Sequence, residues 1–214
     1  LPASLSTSVN PIALSIATAA VSTLGSAEVA AFGLVTKIQS FAVVPLLALS
    51  AASAPFVGQN SGAGNTGRSR DSLWFCARVS LVWALVLAVA FYFGGRWLVS
   101  FFTESARTQE IAALYLAIVP ASYAGYGLIV SLTAAMNGLG RSVSGLMIGA
   151  GRAIGLLAPG AWIGVLTGGF LGLAIATFLA NTVSGVIAAL IVMRHSLKDI
   201  DQKSAYQPDC YDSE

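Results

Sequence analysis

An all-helical membrane protein, a bundle of six transmembrane helices, is the fold class this sequence predicts, and three observations carry it. Only 9% of the 214 residues are charged, where a soluble domain carries about 25%. More than half, 56%, are hydrophobic. These residues gather in six runs, 1–24, 29–57, 73–93, 111–139, 143–166 and 170–193, each close to or above the length of about 20 residues that a helix needs to cross a bilayer core. A helix satisfies every backbone polar group internally, so it is the natural form for such a run in lipid. Residues 1–195 are therefore read as one transmembrane lobe, and 196–214 as a polar cytoplasmic tail with too little apolar surface to order itself.

The first run places Ser4, Ser8, Pro11, Ser15, Thr18 and Ser22 at steps of three and four, which puts them on one helical face. It begins without a methionine, a charged flank or a polar leader region, so it does not read as a signal peptide, and residues upstream are expected. The second run has Thr36, Gln39, Ser50 and Ser53 in register and carries Lys37 in an otherwise uncharged stretch. After Arg78 the third run reads LVWALVLAVAFYF, apolar all round, and belongs against lipid. The fourth aligns Tyr123, Tyr126, Thr133 and Asn137. The fifth carries three glycine pairs four residues apart, Gly145 with Gly149, Gly151 with Gly155 and Gly160 with Gly164, a spacing that lets helices approach closely. The sixth contributes Asn181. Pro11, Pro45, Pro120 and Pro159 fall inside runs, where each removes a backbone donor and bends its helix.

Between the runs, residues 25–28 and 167–169 read as tight turns, 58–71 as a longer loop rich in Gly, Asn and Ser, and 137–142 as a short turn that again sets glycines before an arginine. Basic residues set the orientation. Arg68, Arg70, Arg141, Arg194, Lys198 and Lys203 share one side, while Arg96 and Arg107 on the other are accompanied by Glu104 and Glu110. The expected arrangement has both chain ends cytoplasmic in the cell membrane.

Polar faces inside a bilayer must look at protein or water. Three such faces converge on a central cleft, with Asn10 and Asn181 as further amides beside it. Alternatively, single serines and threonines return hydrogen bonds to their own helices. Lys37 has two readings. It lies about 13 Å of helix from Glu28 at the outer boundary, so its stem reaches the interface by snorkelling, or it faces the cleft. Arg78 snorkels near the cytoplasmic end of its run, and Arg152, deeper, packs between helices.

No aspartate or glutamate interrupts residues 29–69 or 111–198, so no run carries an interior carboxylate to hold a proton or sodium ion. Metal-ligand spacing, nucleotide-binding loops and a nucleophile with its base are absent from the sequence, which reads as no enzyme and as needing no cofactor. A net charge of +2 spread over short loops leaves no nucleic-acid footprint. Cys76 and Cys210 fall in different environments and read as free thiols.

LPASLSTSVNP, then EVAAFGLVTKIQSFAVVPLLALSAASAPFVGQNSGAG, then YLAIVPASYAGYGLIVSLTAAMNGLGR together resemble the C-terminal half of multidrug and toxic compound extrusion (MATE) transporters. The similarity runs in order over residues 1–193. VTKIQSF is similar to the pattern of that family's eighth helix, and GQNSGAG to the loop that follows. The resemblance implies one six-helix lobe of a two-lobe, twelve-helix antiporter that rocks around a central cleft. Such a transporter exports organic, often cationic, compounds in exchange for sodium or protons. Its partners would be the bilayer, a small organic substrate and a missing N-terminal lobe. Some members hold the coupling cation with carboxylates in helices seven and ten. Here Ser, Thr and Asn stand where those acids would be sought, so the ion site is expected outside this chain. The substrate passage is expected at Asn10, Lys37, Gln39, Tyr123, Tyr126, Asn137 and Asn181.

Three rival readings stand beside it. A lipid or saccharide-lipid flippase of the same superfamily would share the helical plan but want more cations than Lys37 and Arg152. An aquaporin-like channel would need paired Asn-Pro motifs, and only Asn10-Pro11 is present. A truncated lobe would not transport on its own.

Overall fold

The computed structural model describes residues 2–205, with side chains described for 9–194. The described chain is helical throughout: α1 Pro2–Ser22, α2 Ser26–Ala42, α3 Val44–Gly62, α4 Thr66–Ser100, α5 Ala106–Ile118, α6 Tyr123–Gly138, α7 Ser142–Ala150 and α8 Ala158–Ala205. These make six crossings. Helix α1 is the first; α2 and α3, bent by 47° at their junction, together form the second. Helix α4 is the third, and the unbroken stretch Ala106–Gly138 the fourth. The stretch from Ser142 supplies the fifth and sixth, because Gly169 leaves the helical region at φ 59° and ψ −139° and reverses the chain. The hairpin is tight: a Cβ on Gly164 would lie 2.5 Å from the Gly172 carbonyl oxygen, and one on Gly160 3.6 Å from Ala176.

Two expectations on boundaries are corrected. The segment 58–71 is not a long loop, because helices enter it from both ends and leave only residues 63–65 between them. Its glycines and asparagines serve as a helix stop: with Gly64 at φ 76°, its N–H donates to Ser61 and that of Asn65 to Asn60, closing the last turn in a Schellman motif. The turn at Gly140 repeats it, with N–H groups of Gly140 and Arg141 donating to Asn137 and Met136. The third crossing runs over Thr66–Ser100, 35 residues, rather than 73–93. Hydropathy marks only the part in lipid, whereas the helix persists into the polar zones at both ends. Its outer face exposes Leu81, Val82, Leu85, Val86 and Val89. Helix α8 continues to Ala205, and residues 206–214, with Cys210, lie outside the described residues, as do the side chains of Ser4, Ser8 and His195.

Three of the prolines mark departures from the regular α-helix. Pro45 has no N–H to return to Phe41, and the chain bends just before it; the Ala42 carbonyl at this bend accepts a bond from the Trp83 indole at 2.8 Å. Pro120 lies in a tight 3₁₀ turn, Val119–Ser122, inside the fourth crossing. Pro159 follows a widened π-helical stretch, Gly151–Leu157, in the fifth. Pro11 is accommodated within α1.

Glycine packing joins crossings two, four and six. A Cβ on Gly58 would meet the Gly138 carbonyl at 2.8 Å, one on Gly138 would overlap the Ala54 carbonyl, and one on Gly125 the Asn181 carbonyl. At the far end, Arg107 donates to Glu28 at 3.4 Å, tying the starts of α2 and α5. Gly169 offers a clean test of backbone conformation, because nothing lies within 4 Å of where its Cβ would stand. Gly169→Ala is expected to lower stability by about 1–3 kcal/mol through strain alone, while Gly168→Ala, also in open space, leaves it nearly unchanged. Thermal unfolding in detergent would show the two melting alike if the turn carries no such constraint.

Candidate functional site

The π-helical stretch at Gly151–Leu157 sets Arg152 into the bundle. A π turn leaves one residue without the regular i to i−4 bond, recurs at functional positions, and here precedes the proline that cannot close a normal α turn. Arg152 is 7% exposed. Its Nε and Nη2 both donate to the Asn181 side-chain oxygen, at 3.2 and 3.0 Å, and its Nη1 donates to the Asn10 side-chain oxygen at 3.0 Å. The guanidinium carbon sits 4.6 Å from the centre of the Tyr126 ring, within the range of a cation–π contact. Asn181 passes the network on: its amide donates to Ser122 at 2.9 Å, and the Ser122 hydroxyl donates to the Val119 carbonyl at 2.7 Å. The 3₁₀ turn around Pro120 thus orients Ser122, which orients Asn181, which grips the arginine.

Depth makes this cluster unusual. Arg152 lies about 15 Å of helix from Ser142, Tyr126 about 18 Å from Gly138, Asn181 about 17 Å from Phe170 and Asn10 about 18 Å from Ser22, so all four stand near mid-membrane. An ionisable residue at that depth is costly and is by default a functional candidate. The partners are neutral. Every acidic residue of the chain lies at the end of a crossing, in a loop or in the tail, so no carboxylate among the described residues pairs with the guanidinium.

Of the expected passage residues, the structure brings Asn10, Tyr126 and Asn181 together. Tyr123 is fully buried one turn from Tyr126, its hydroxyl without a hydrogen-bond partner among the described residues. Gln39 is half-buried and makes no bond to the arginine, accepting from Tyr115 at 3.4 Å. Asn137 stands at the other end of α6, its side-chain oxygen 2.9 Å from where a Cβ of Gly145 would lie. Lys37 is exposed on α2, with no hydrogen bond or ion pair among the described residues. Most hydroxyls of the stripes bond back to their own helices: Ser15 to Pro11, Thr18 to Leu14, Ser53 to Leu49, Thr133 to Ile129. Ser50 is different, reaching across to the Val130 carbonyl at 2.9 Å.

Sequence reasoning placed Arg152 correctly between helices but missed it as the organiser, along with Ser122. The signal was present: an arginine ten residues into an apolar run, between a glycine and a nearby proline. Buried Cys76 is a free thiol, 3.3 Å from the Ser53 hydroxyl.

The MatE family model matches residues 2–163. The FAD transporter of Shewanella oneidensis is 29% identical over 193 residues, covering 90% of this chain and 43% of that protein. The Vibrio cholerae MATE transporter VcmN in its bent form superposes with a TM-score of 0.87 at 28% identity, over 92% of this chain and 45% of that one. A MOP superfamily transporter from Pyrococcus furiosus, 18% identical, shares the fold at a TM-score of 0.77 over 88% of this chain and 42% of its own. The chain spans less than half the length of the relatives it matches. Six crossings, a polar centre at mid-depth and a family match over most of the chain converge on one statement: this chain belongs to the MatE family of membrane transporters, as one lobe of their fold, and not to the enzymes.

Proposed function

We propose that this lobe works with a second six-helix lobe as a secondary transporter, exporting organic compounds across the cell membrane by alternating access, driven by inward sodium or protons. The observation that carries the reading is the polar centre at Arg152, assembled at mid-membrane from four crossings, of which the fourth tightens into a 3₁₀ turn at Pro120 and the fifth widens into a π-helical stretch before Pro159. Such local departures from the α-helix recur at functional positions and aim side chains into the bundle while the rest of the crossing keeps its helix. The family match supports transport as the activity. Drug-like organic compounds remain the class we propose as cargo, and the distribution of basic residues supports an orientation with both ends of the lobe in the cytoplasm.

The coupling ion is assigned outside this lobe. A site for sodium or a proton needs oxygen ligands of negative charge or a titrating carboxylate, and the crossings offer a guanidinium instead. Export of ethidium or of riboflavin 5′-phosphate from proteoliposomes of the full-length transporter, under an imposed sodium or pH gradient, tests the reading; no export of either compound under either gradient would end it.

Lys37 bears on the same test. It stands exposed on a face with Ala30, Gly33, Ser40 and Phe41, and the small and polar members of that face suit a protein neighbour or water. Lys37→Met is expected to retain membrane abundance and to reduce export at least about tenfold, the scale of losing one charged contact. A fall in abundance alone would assign Lys37 to folding.

A further inference from the structure

We propose that Arg152 selects substrates that carry an oxyanion, a phosphate or carboxylate on an organic body, and that the anion docks on the Asn10 side of the guanidinium. This rests on the reading of the lobe as part of a transporter and names the polarity of what it moves. Charge is the first ground. A guanidinium 7% exposed, met by two amide oxygens and one aromatic face, has hydrogen bonds but no counter-charge. In a medium of low dielectric an uncompensated cation is costly, and an anion brought beside it is held far more strongly than in water.

Donor geometry is the second. Of the five guanidinium N–H groups, three are committed to Asn181 and Asn10. The remaining two lie in the rigid fork that matches phosphate and carboxylate oxygens.

Access is the third, and it is one-sided. Asn181 is 1% exposed and pinned through Ser122, so that flank is closed. Asn10 is exposed and holds only the Nη1 edge. A single amide turning aside opens the guanidinium to the exposed side of α1 at Asn10. A carboxylate supplied by protein beyond this chain would meet the same charge, and the test separates it from a substrate anion.

The test uses the full-length transporter in nanodiscs and two probes with the same ring system, riboflavin and riboflavin 5′-phosphate, with binding read from flavin fluorescence. The wild type is expected to bind the phosphate about tenfold or more tightly. In Arg152→Gln this ratio falls to about one. Asn10→Asp gives the same loss while keeping the arginine, because the new carboxylate takes the Nη1 edge at the 3.0 Å now held by the amide; it serves where the glutamine variant fails to fold. Equal binding of the two probes by the wild type, binding of neither, or a ratio that survives both variants overturns the proposal. Equal binding together with ion-driven ethidium export sinks the oxyanion selectivity alone, whereas absence of any ion-driven export sinks the antiporter reading beneath it.

Discussion

Asn181→Leu is expected to destabilise the lobe by about 3–5 kcal/mol, the cost of stripping a buried charge of its partner. The loss is large because one oxygen accepts two of the three guanidinium bonds and its amide nitrogen also satisfies Ser122. Leucine keeps the branched outline of asparagine and is larger, which excludes a cavity, and the overpacking it brings, about 1–3 kcal/mol, is smaller than the loss expected. Asn181→Asp makes the companion case. The carboxylate keeps both acceptor positions and adds the missing counter-charge, so this variant is expected to melt at or above the wild-type temperature, although Ser122 loses a donor. Melting curves in detergent decide it. Should the leucine variant melt like the wild type, the arginine is solvated from another direction, and the network does not hold the fifth and sixth crossings together.

Gly185→Leu is expected to prevent the protein from accumulating in the membrane. A Cβ at Gly185 would overlap the Gly125 Cα, and one at Gly125 would overlap the Asn181 carbonyl, so the fourth and sixth crossings touch backbone to backbone. Overpacking a core that can repack costs about 1–3 kcal/mol. Here the obstacle is main chain, which no rotamer change can move, and the penalty should exceed that range. Without a hydrophobic force between helices in lipid, such close approach is the main source of their association. Gly94→Leu, at an exterior position with nothing within 4 Å, is the control and should accumulate normally. Equal abundance of the two variants would show that the crossings can separate at this point without loss.

Much of this was legible in the sequence. Six crossings followed from run length, since hydropathy reports directly on which segments lipid accepts. The outward face of the third crossing followed from LVWALVLAVAFYF. What hydropathy could not give was where helices continue beyond lipid, which moved the limits of α4 and shortened the turn at residues 63–65. Periodicity put Tyr126 on a polar face, and Asn10 and Asn181 stood beside it as further amides, but periodicity treats each helix alone. Which amide meets which cation depends on the rotation of four crossings about their axes, and on a π turn that shifts the register after Gly151. Asn137 lay on the expected face yet at another depth, and Gln39, at a similar depth, meets Tyr115 rather than the arginine, distinctions that a face assignment cannot make. Hydroxyls were the weakest guide, because Ser15 and Thr18 are satisfied within one turn and so carry little positional information.

The bend at Val43 sets the mechanics of the second crossing. With the Trp83 indole gripping the Ala42 carbonyl, the pivot is clamped, and the 17 residues of α2 form a stiff arm about 25 Å long. A rotation of roughly 10° at the pivot would sweep its tip through about 4 Å, enough to part Glu28 from Arg107, which are 3.4 Å apart at rest. Lys37, closer to the fulcrum, would travel less than half as far. Small angular changes at one carbonyl are thereby geared into a large displacement at the membrane surface and a small one at depth.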